Sequence, residues 1–127
     1  MQHTLAFDLG GSSLRLAIVA ADGRFVAFVR KPLSIQSADG VVFDVDPMVW
    51  WRAFVDGCKE LAAVGHDLAA VTAIAGCGFT RTQVFLDGSG RAVRSAIPFQ
   101  DSRSASLLKD MRANAPEEVR QVIERLG

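Results

Sequence analysis

Short apolar runs occupy the first third of the chain, with turn-forming residues between them. Three of these runs have the length of a strand, at 4–7, 14–20 and 24–30. Asp22-Gly23 lies between the second and third runs, and this dipeptide between apolar runs is a strong hairpin signal. The pattern therefore predicts a three-strand antiparallel meander, followed by a loop over residues 31–41.

A helical spacing of apolar residues follows the loop. Asp46 is predicted to cap the first turn, and Pro47 suits the first helical position. The apolar face of this helix is predicted to contain Trp50, Ala53, Phe54, Cys58, Leu61 and Ala62. The helical pattern fades near Gly65.

Two more strands are predicted in the second half. Small apolar residues over 68–78 indicate a buried strand, in which Cys77 is expected to be an inert thiol. Residues 82–87 are predicted to form a fifth strand, which ends in the hairpin signal "DGSG" at 87–90.

Helices are predicted to complete the chain. Asp101 or Ser102 is expected to cap a helix that runs to about Asn114, and Pro116 opens a last helix. Strands followed by a helix, more strands and more helices favour an α/β domain with a mixed sheet over an alternating doubly wound fold.

Composition and charge narrow the class of protein. The 127 residues are half apolar, which fits one domain with a core of its own. Fourteen basic and fourteen acidic residues balance, so no nucleic-acid partner is expected. No apolar run is long enough for a membrane span and no signal peptide is recognised, so no membrane partner is expected. Two cysteines without metal spacing favour a cytoplasmic location.

The stretch "FDLGGSSLR" at 7–15 carries the first candidate chemistry. Amides in a Gly-Gly turn can point into a concavity and bind phosphate oxygens, and Asp8 can hold a magnesium ion. The spacing fits neither a Walker loop nor a dinucleotide fingerprint. From these residues alone, a plain hairpin turn remains the alternative.

Two later stretches carry polar groups beside glycines or at a helix start. In "GCGFTRTQVFLD" at 76–87, Thr80 and Arg81 follow the end of a predicted strand, and they are either ligand groups or a surface turn. In "IPFQDSR" at 97–103, Asp101 and Arg103 can bracket a polyol, or Asp101 can simply cap the next helix.

The ordered set of these stretches resembles the N-terminal portion of the FGGY carbohydrate kinases. The similar segments are "FDLGGSSLRLAIVAADGRFVA", "DPMVWWRAFVDGCKELA", "AIAGCGFTRTQVFLDGSGRAVRSAI" and "PFQDSRS". The resemblance implies a ribonuclease-H-like, actin-like ATPase fold flanked by helices and incomplete within residues 1–127. It also implies ATP-dependent phosphorylation of a sugar or polyol hydroxyl, with Mg²⁺ and ATP as cofactors.

By resemblance, Asp8 helps to place magnesium. The residues that resemble the ATP phosphate-binding turn and its nucleotide-side arginine are Gly10, Gly11, Ser12, Ser13 and Arg15. The residues that resemble sugar or polyol contacts are Thr80, Arg81, Asp101 and Arg103.

The sequence departs from the family pattern at Gly11, at Phe79, in the Thr80-Arg81 pair and in length. The Thr80-Arg81 pair matches neither the xylulokinase nor the glycerol kinase pattern, so the identity of the substrate stays open. Members often have Thr in place of Gly11, and many have Gln in place of Phe79, which cannot hydrogen-bond a sugar. The family is much longer and carries its general base and adenosine motifs in a part without a counterpart here. Residues 1–127 are therefore expected to be a truncated N-terminal lobe that is inactive alone. The alternatives are a non-catalytic sugar- or nucleotide-binding domain and a non-functional product, and the expected protein partner is the missing C-terminal lobe or a second copy in a homo-oligomer.

Overall fold

A computed structural model describes residues 2–125 as one four-stranded sheet with helices attached. Its strands are β1 (His3–Leu9), β2 (Ser13–Ala20), β3 (Phe25–Pro32) and β4 (Val71–Cys77). Its α-helices are α1 (Met48–Ala63), α2 (Ala105–Asn114) and α3 (Glu117–Arg125).

The sheet confirms the predicted meander and the predicted mixed topology. Its strand order is β3-β2-β1-β4, with antiparallel pairing of β1 to β2 and of β2 to β3, and parallel pairing of β1 to β4. Because side chains alternate along a strand, β2 directs Leu14, Leu16 and Ile18 to one face, where they are fully buried. These residues form the main core together with residues of α1.

The helix α1 covers that core face of the sheet. The Asp46 carboxylate accepts the backbone N–H of Met48 at 2.9 Å, which confirms the predicted cap. The residues that α1 buries are Trp50, Ala53, Gly57 and Leu61. Gly57 allows close packing, since a Cβ there would lie 2.2 Å from Leu16 Cδ1. The predicted face was right except at Ala62, which is exposed.

The prediction that β4 is a buried strand was wrong in its burial. Residues 71–77 do form a strand, and a short 3-10 helix (Leu68–Ala70) precedes it. However, β4 is the last strand of the sheet within residues 2–125, so one of its edges is unpaired there. Ile74 is 63% exposed, and Cys77 is exposed as well. The apolar composition therefore marks a surface that this part of the chain does not cover.

The predicted fifth strand over 82–87 was also wrong. Its backbone pairs only at single positions, with Gln83 opposite Ile97 and Leu86 opposite Ala92, so no continuous ladder forms. The predicted "DGSG" turn is confirmed, because the Gly90 N–H bonds to the Asp87 carbonyl at 3.0 Å.

Two helices follow, and neither Asp101 nor Ser102 caps the first of them. The helix α2 begins at Ala105, and Ser104 at its N-cap makes no side-chain capping bond. The predicted last helix is confirmed as α3, which begins at Glu117, one residue after Pro116, with acidic residues in its first turn. In the described part of the chain, none of the helices is both long and apolar enough to cross a membrane.

Candidate functional site

The predicted phosphate-binding residues form a tight turn between β1 and β2. The Gly10 N–H donates to the Ser13 carbonyl at 3.0 Å, and the Leu33 N–H donates to the Ser12 carbonyl at 2.8 Å. Ser12 is exposed, whereas Ser13 is 2% exposed and faces the interior. Of the two predicted serine hydroxyls, only that of Ser12 is therefore presented at the surface.

Asp8 and Arg15 flank this turn. They are opposite partners in the register of β1 and β2, and Asp8 Oδ2 lies 2.7 Å from Arg15 Nη1. Both side chains are about half exposed, so the carboxylate is open to solvent on one side. Within residues 2–125 no group of three or more His, Cys, Asp or Glu side chains is placed to hold a metal. A single carboxylate nevertheless fits magnesium, which often takes one or two carboxylates and completes its shell with phosphate oxygens and water.

The second predicted stretch begins at the end of β4. Gly76 packs against the ring of Phe7, where a Cβ would come within 2.4 Å, whereas Gly78 has open space around it. Arg81 follows in a left-handed backbone conformation with φ of +51°. This uncommon conformation for a residue with a side chain belongs to the turn that carries the predicted substrate contacts.

An open cleft of about 460 Å³ brings three of the four predicted substrate residues together. Its lining comprises Arg81, Gln83, Phe85, Ile97, Pro98, Phe99, Asp101, Arg103 and Ser104. Thr80 is not part of this lining, and its carbonyl accepts the Thr82 hydroxyl at 3.4 Å. The structure therefore groups Arg81, Asp101 and Arg103 but does not bring Thr80 to the same surface.

Asp101 is held by two residues, Phe43 and Arg103. Its Oδ2 accepts the Phe43 N–H at 2.7 Å and Arg103 Nη2 at 2.7 Å, and its Oδ1 accepts the Arg103 N–H at 3.0 Å. Its side chain is 2% exposed. These bonds to Arg103, with the help of the Phe43 amide, hold the pKa of Asp101 well below its usual range. Asp101 is therefore charged at neutral pH and links the loop at residue 43 to the cleft.

Arg103 extends this link to a second carboxylate. Its Nη2 lies 2.8 Å from Asp44 Oδ1 and 3.3 Å from the Phe43 carbonyl. The bonds to Asp101 and then to Asp44 raise the pKa of Arg103 above its ordinary value. Sequence reasoning missed Phe43 and Asp44. Both lie far from Asp101 and Arg103 along the chain, so no local pattern connects them.

A row of aromatic rings connects the turn with the cleft. The Phe79 ring meets the Trp50 ring edge-on at a centroid distance of 6.3 Å and the Phe99 ring at 5.7 Å. Phe79 also packs against Gly11, where a Cβ would lie 2.9 Å from Phe79 Cζ. Phe99 lines the cleft, so Phe79 contacts the turn directly and the cleft through Phe99.

Comparison with known proteins identifies the family. The profile of the "FGGY family of carbohydrate kinases, N-terminal domain" matches residues 3–127. The chain belongs to this family. The FGGY chain is similar to the xylulose kinase of Streptomyces rubiginosus, with 34% identity over 94 residues that cover 74% of this chain and 18% of the relative. It is also similar to the glycerol kinase of Polaromonas naphthalenivorans, with 32% identity over 120 residues that cover 92% of this chain and 24% of the relative.

A solved structure supports the same assignment at the level of the fold. A crystal structure described as a xyloylose kinase from Brucella ovis superposes with a TM-score of 0.75 and 25% identity, over 87% of this FGGY chain and 25% of that protein. The predicted actin-like fold is thereby confirmed for the part described. The chain spans about a fifth to a quarter of the length of the relatives it matches.

Proposed function

We propose that the protein to which this FGGY chain belongs transfers the γ-phosphoryl group of ATP to a hydroxyl of a sugar or polyol. The observation that carries this proposal is the contact of Phe79 with both the Gly11 turn and, through Phe99, the polar cleft. Phosphoryl transfer depends mainly on holding donor and acceptor in line, so adjacent donor and acceptor sites are its central requirement.

The donor side is assigned to the turn between β1 and β2. Magnesium ATP supplies the phosphoryl group and, through the metal, charge neutralisation when bound. Asp8 is the residue that would hold the magnesium ion, and the backbone amides of Gly11 and Ser12 with the Ser12 hydroxyl would donate to phosphate oxygens. Arg15, beside Asp8, adds positive charge at the same end of the sheet.

The acceptor side is assigned to the cleft that Arg81 lines. The Arg81 guanidinium can donate to the oxygens of a polyol, and the Phe99 ring supplies an apolar wall for its carbon face. Asp101 and Arg103 hold the wall in position, because their polar atoms are largely engaged by each other and by residues 43–44. The general base is assigned to the part of the longer family members that has no counterpart in residues 1–127.

The experiment is an assay of the full-length gene product with magnesium ATP and a panel of ketoses, aldoses and polyols, including xylulose and glycerol. Acceptor-dependent release of ADP is the expected result, and the phosphorylated product is identified by mass spectrometry. The 127-residue chain serves as the matched control. It is expected to release no ADP above background because general-base help alone contributes about 10²- to 10⁴-fold. Binding of nucleotide or sugar by the full-length protein without turnover would replace this proposal with a binding domain.

A further inference from the structure

Gly11 leaves no room for a side chain, because the ring of Phe79 occupies the space. A Cβ on Gly11 would lie 2.9 Å from Phe79 Cζ and 3.3 Å from Cε2, and 3.6 Å from the side-chain amide nitrogen of Gln100. The Gly11 backbone is not in the left-handed region, so it is the ring of Phe79, and not the conformation of the turn, that demands glycine here.

The Phe79 ring has little freedom to move away from this contact. The rings of Trp50 and Phe99 both pack against it at steep interplanar angles. Phe79 also packs against the second core cluster, whose buried members are Val45, Trp50 and Ala96. Phe79 is partly buried and Phe99 is 53% exposed, so it is the buried Trp50 and its cluster that hold the ring in place. On that side the ring acts as a spacer, since packed interiors transmit displacement instead of absorbing it.

The spacer lies between the two halves of the candidate site. On one side is the turn whose amides are proposed to receive phosphate oxygens, and on the other is Phe99 in the wall of the cleft. We propose that Phe79 is a positioning residue that sets the distance between the phosphate-binding turn and the acceptor cleft, with Gly11 as its matched partner. This inference rests on the proposed function, and it assigns Phe79 no contact with substrate.

The inference is tested by a double-mutant cycle in the full-length protein. The variants are Gly11→Ala, Phe79→Leu and the double variant, and Gly78→Ala is the control because its added Cβ meets open space. For each protein the measurements are the dissociation constant for magnesium ADP by calorimetry, kcat, the KM for ATP and for the acceptor, and the melting temperature.

Gly11→Ala is expected to lower kcat/KM for the acceptor about 10- to 100-fold, because a displacement of about 1 Å at a reacting group can cost about 10²-fold. A leucine side chain at position 79 is smaller than the phenylalanine ring and admits the added methyl group. The double variant is therefore expected to recover about tenfold relative to Gly11→Ala. Gly78→Ala is expected to leave these constants unchanged.

Three results would overturn the inference. They are additive effects at positions 11 and 79, equal effects of Gly11→Ala and Gly78→Ala, and a coupling confined to the melting temperature with unchanged kinetic and binding constants. If Gly11→Ala does not fold, recovery of folding together with magnesium ADP binding in the double variant supports the inference, and continued loss of either refutes it.

Failure of the proposed function is a separate result. The unmutated protein would then bind magnesium ADP without phosphorylating any acceptor. The mutant cycle in magnesium ADP binding would still decide the role of Phe79. Absence of magnesium ADP binding in the unmutated protein would refute both the proposed function and the inference about Phe79.

Discussion

Asp8 and Arg15 face each other across β1 and β2 beside the glycine turn, with Asp8 Oδ2 2.7 Å from Arg15 Nη1. Both side chains are about half exposed, and exposed ion pairs of this kind contribute only about 0–1 kcal/mol to folding. The pair therefore contributes little to folding stability. Because it lies at the turn, a functional role can be tested separately from a structural one.

Asp8→Asn is predicted to lower kcat of the full-length protein by about tenfold or more while it changes unfolding by less than about 1 kcal/mol. Asn keeps the size and one acceptor oxygen but removes the charge that would complement magnesium. Turnover is measured at saturating acceptor across a magnesium series, with circular dichroism as the check of folding.

The matched control for Asp8→Asn is Asp22→Asn. Asp22 is an exposed aspartate in the neighbouring β2–β3 turn, and it also pairs with an arginine, Arg24, at 3.8 Å. It should tolerate the change without loss of turnover. Equal turnover in both variants would return Asp8 to the role of a turn residue.

Asp101→Asn is predicted to lower the melting temperature of the chain by several degrees at neutral pH. The pKa of Asp101 is depressed in the folded state, so its stabilisation is present above the unfolded value of about 3.9 and is lost as pH falls through the folded pKa. The difference in melting temperature between wild type and variant should stay constant at neutral pH and narrow below about pH 4.

Asp44→Asn is the control for this pH dependence. Asp44 also bonds Arg103, at 2.8 Å, but it is 49% exposed. Its substitution should have a smaller effect because solvent screens the pair. If the melting temperatures of wild type and Asp101→Asn differ by the same amount at about pH 2.5 and about pH 7, the charge of Asp101 contributes nothing to stability.

The strand meander, α1 and the hairpin turns were predictable from sequence. Each depends on local periodicity and on residues such as Asp46 that act on the next few positions. The exposure of β4 and the absence of a continuous strand over residues 82–87 were not predictable, since both depend on what packs beside these segments. Asp101 illustrates the limit for the site: its sequence position suggested a helix cap, but its carboxylate accepts the Phe43 amide and the Arg103 guanidinium. Two of the departures from the family pattern, Gly11 and Phe79, are far apart in sequence and are in contact.

Gly76→Ala is predicted to destabilise the chain by about 1–3 kcal/mol through overpacking. Its Cβ would fall 2.4 to 2.5 Å from three atoms of the Phe7 ring, which itself packs edge-on against Phe54. The control is Gly78→Ala, two residues along, where open space surrounds the added methyl group and the free energy of unfolding should change little. Urea unfolding of both variants checks the contrast, and equal midpoints would contradict it.

Cys77 is predicted to react with Ellman's reagent before Cys58. Cys77 is exposed on β4, whereas Cys58 is half-buried on α1, where burial raises the pKa of its thiol. A raised pKa leaves less thiolate at neutral pH, and the thiolate is the reacting form. The variants Cys58→Ser and Cys77→Ser assign the two phases of the reaction, and a faster phase that survives in Cys77→Ser would contradict the assignment.

The parallel pairing of β4 with β1 also constrains the order in which the domain assembles during synthesis. The strands β1, β2 and β3 are joined by short connections, so the meander closes small loops and can form as soon as it leaves the ribosome. His3 pairs with Val71, so β1 has to wait for more than half of the chain before its second edge is satisfied. During that interval β1 is itself a free edge of the nascent sheet, and the ribosome-bound chain passes through a stage in which it is most open to chaperones and to mispairing.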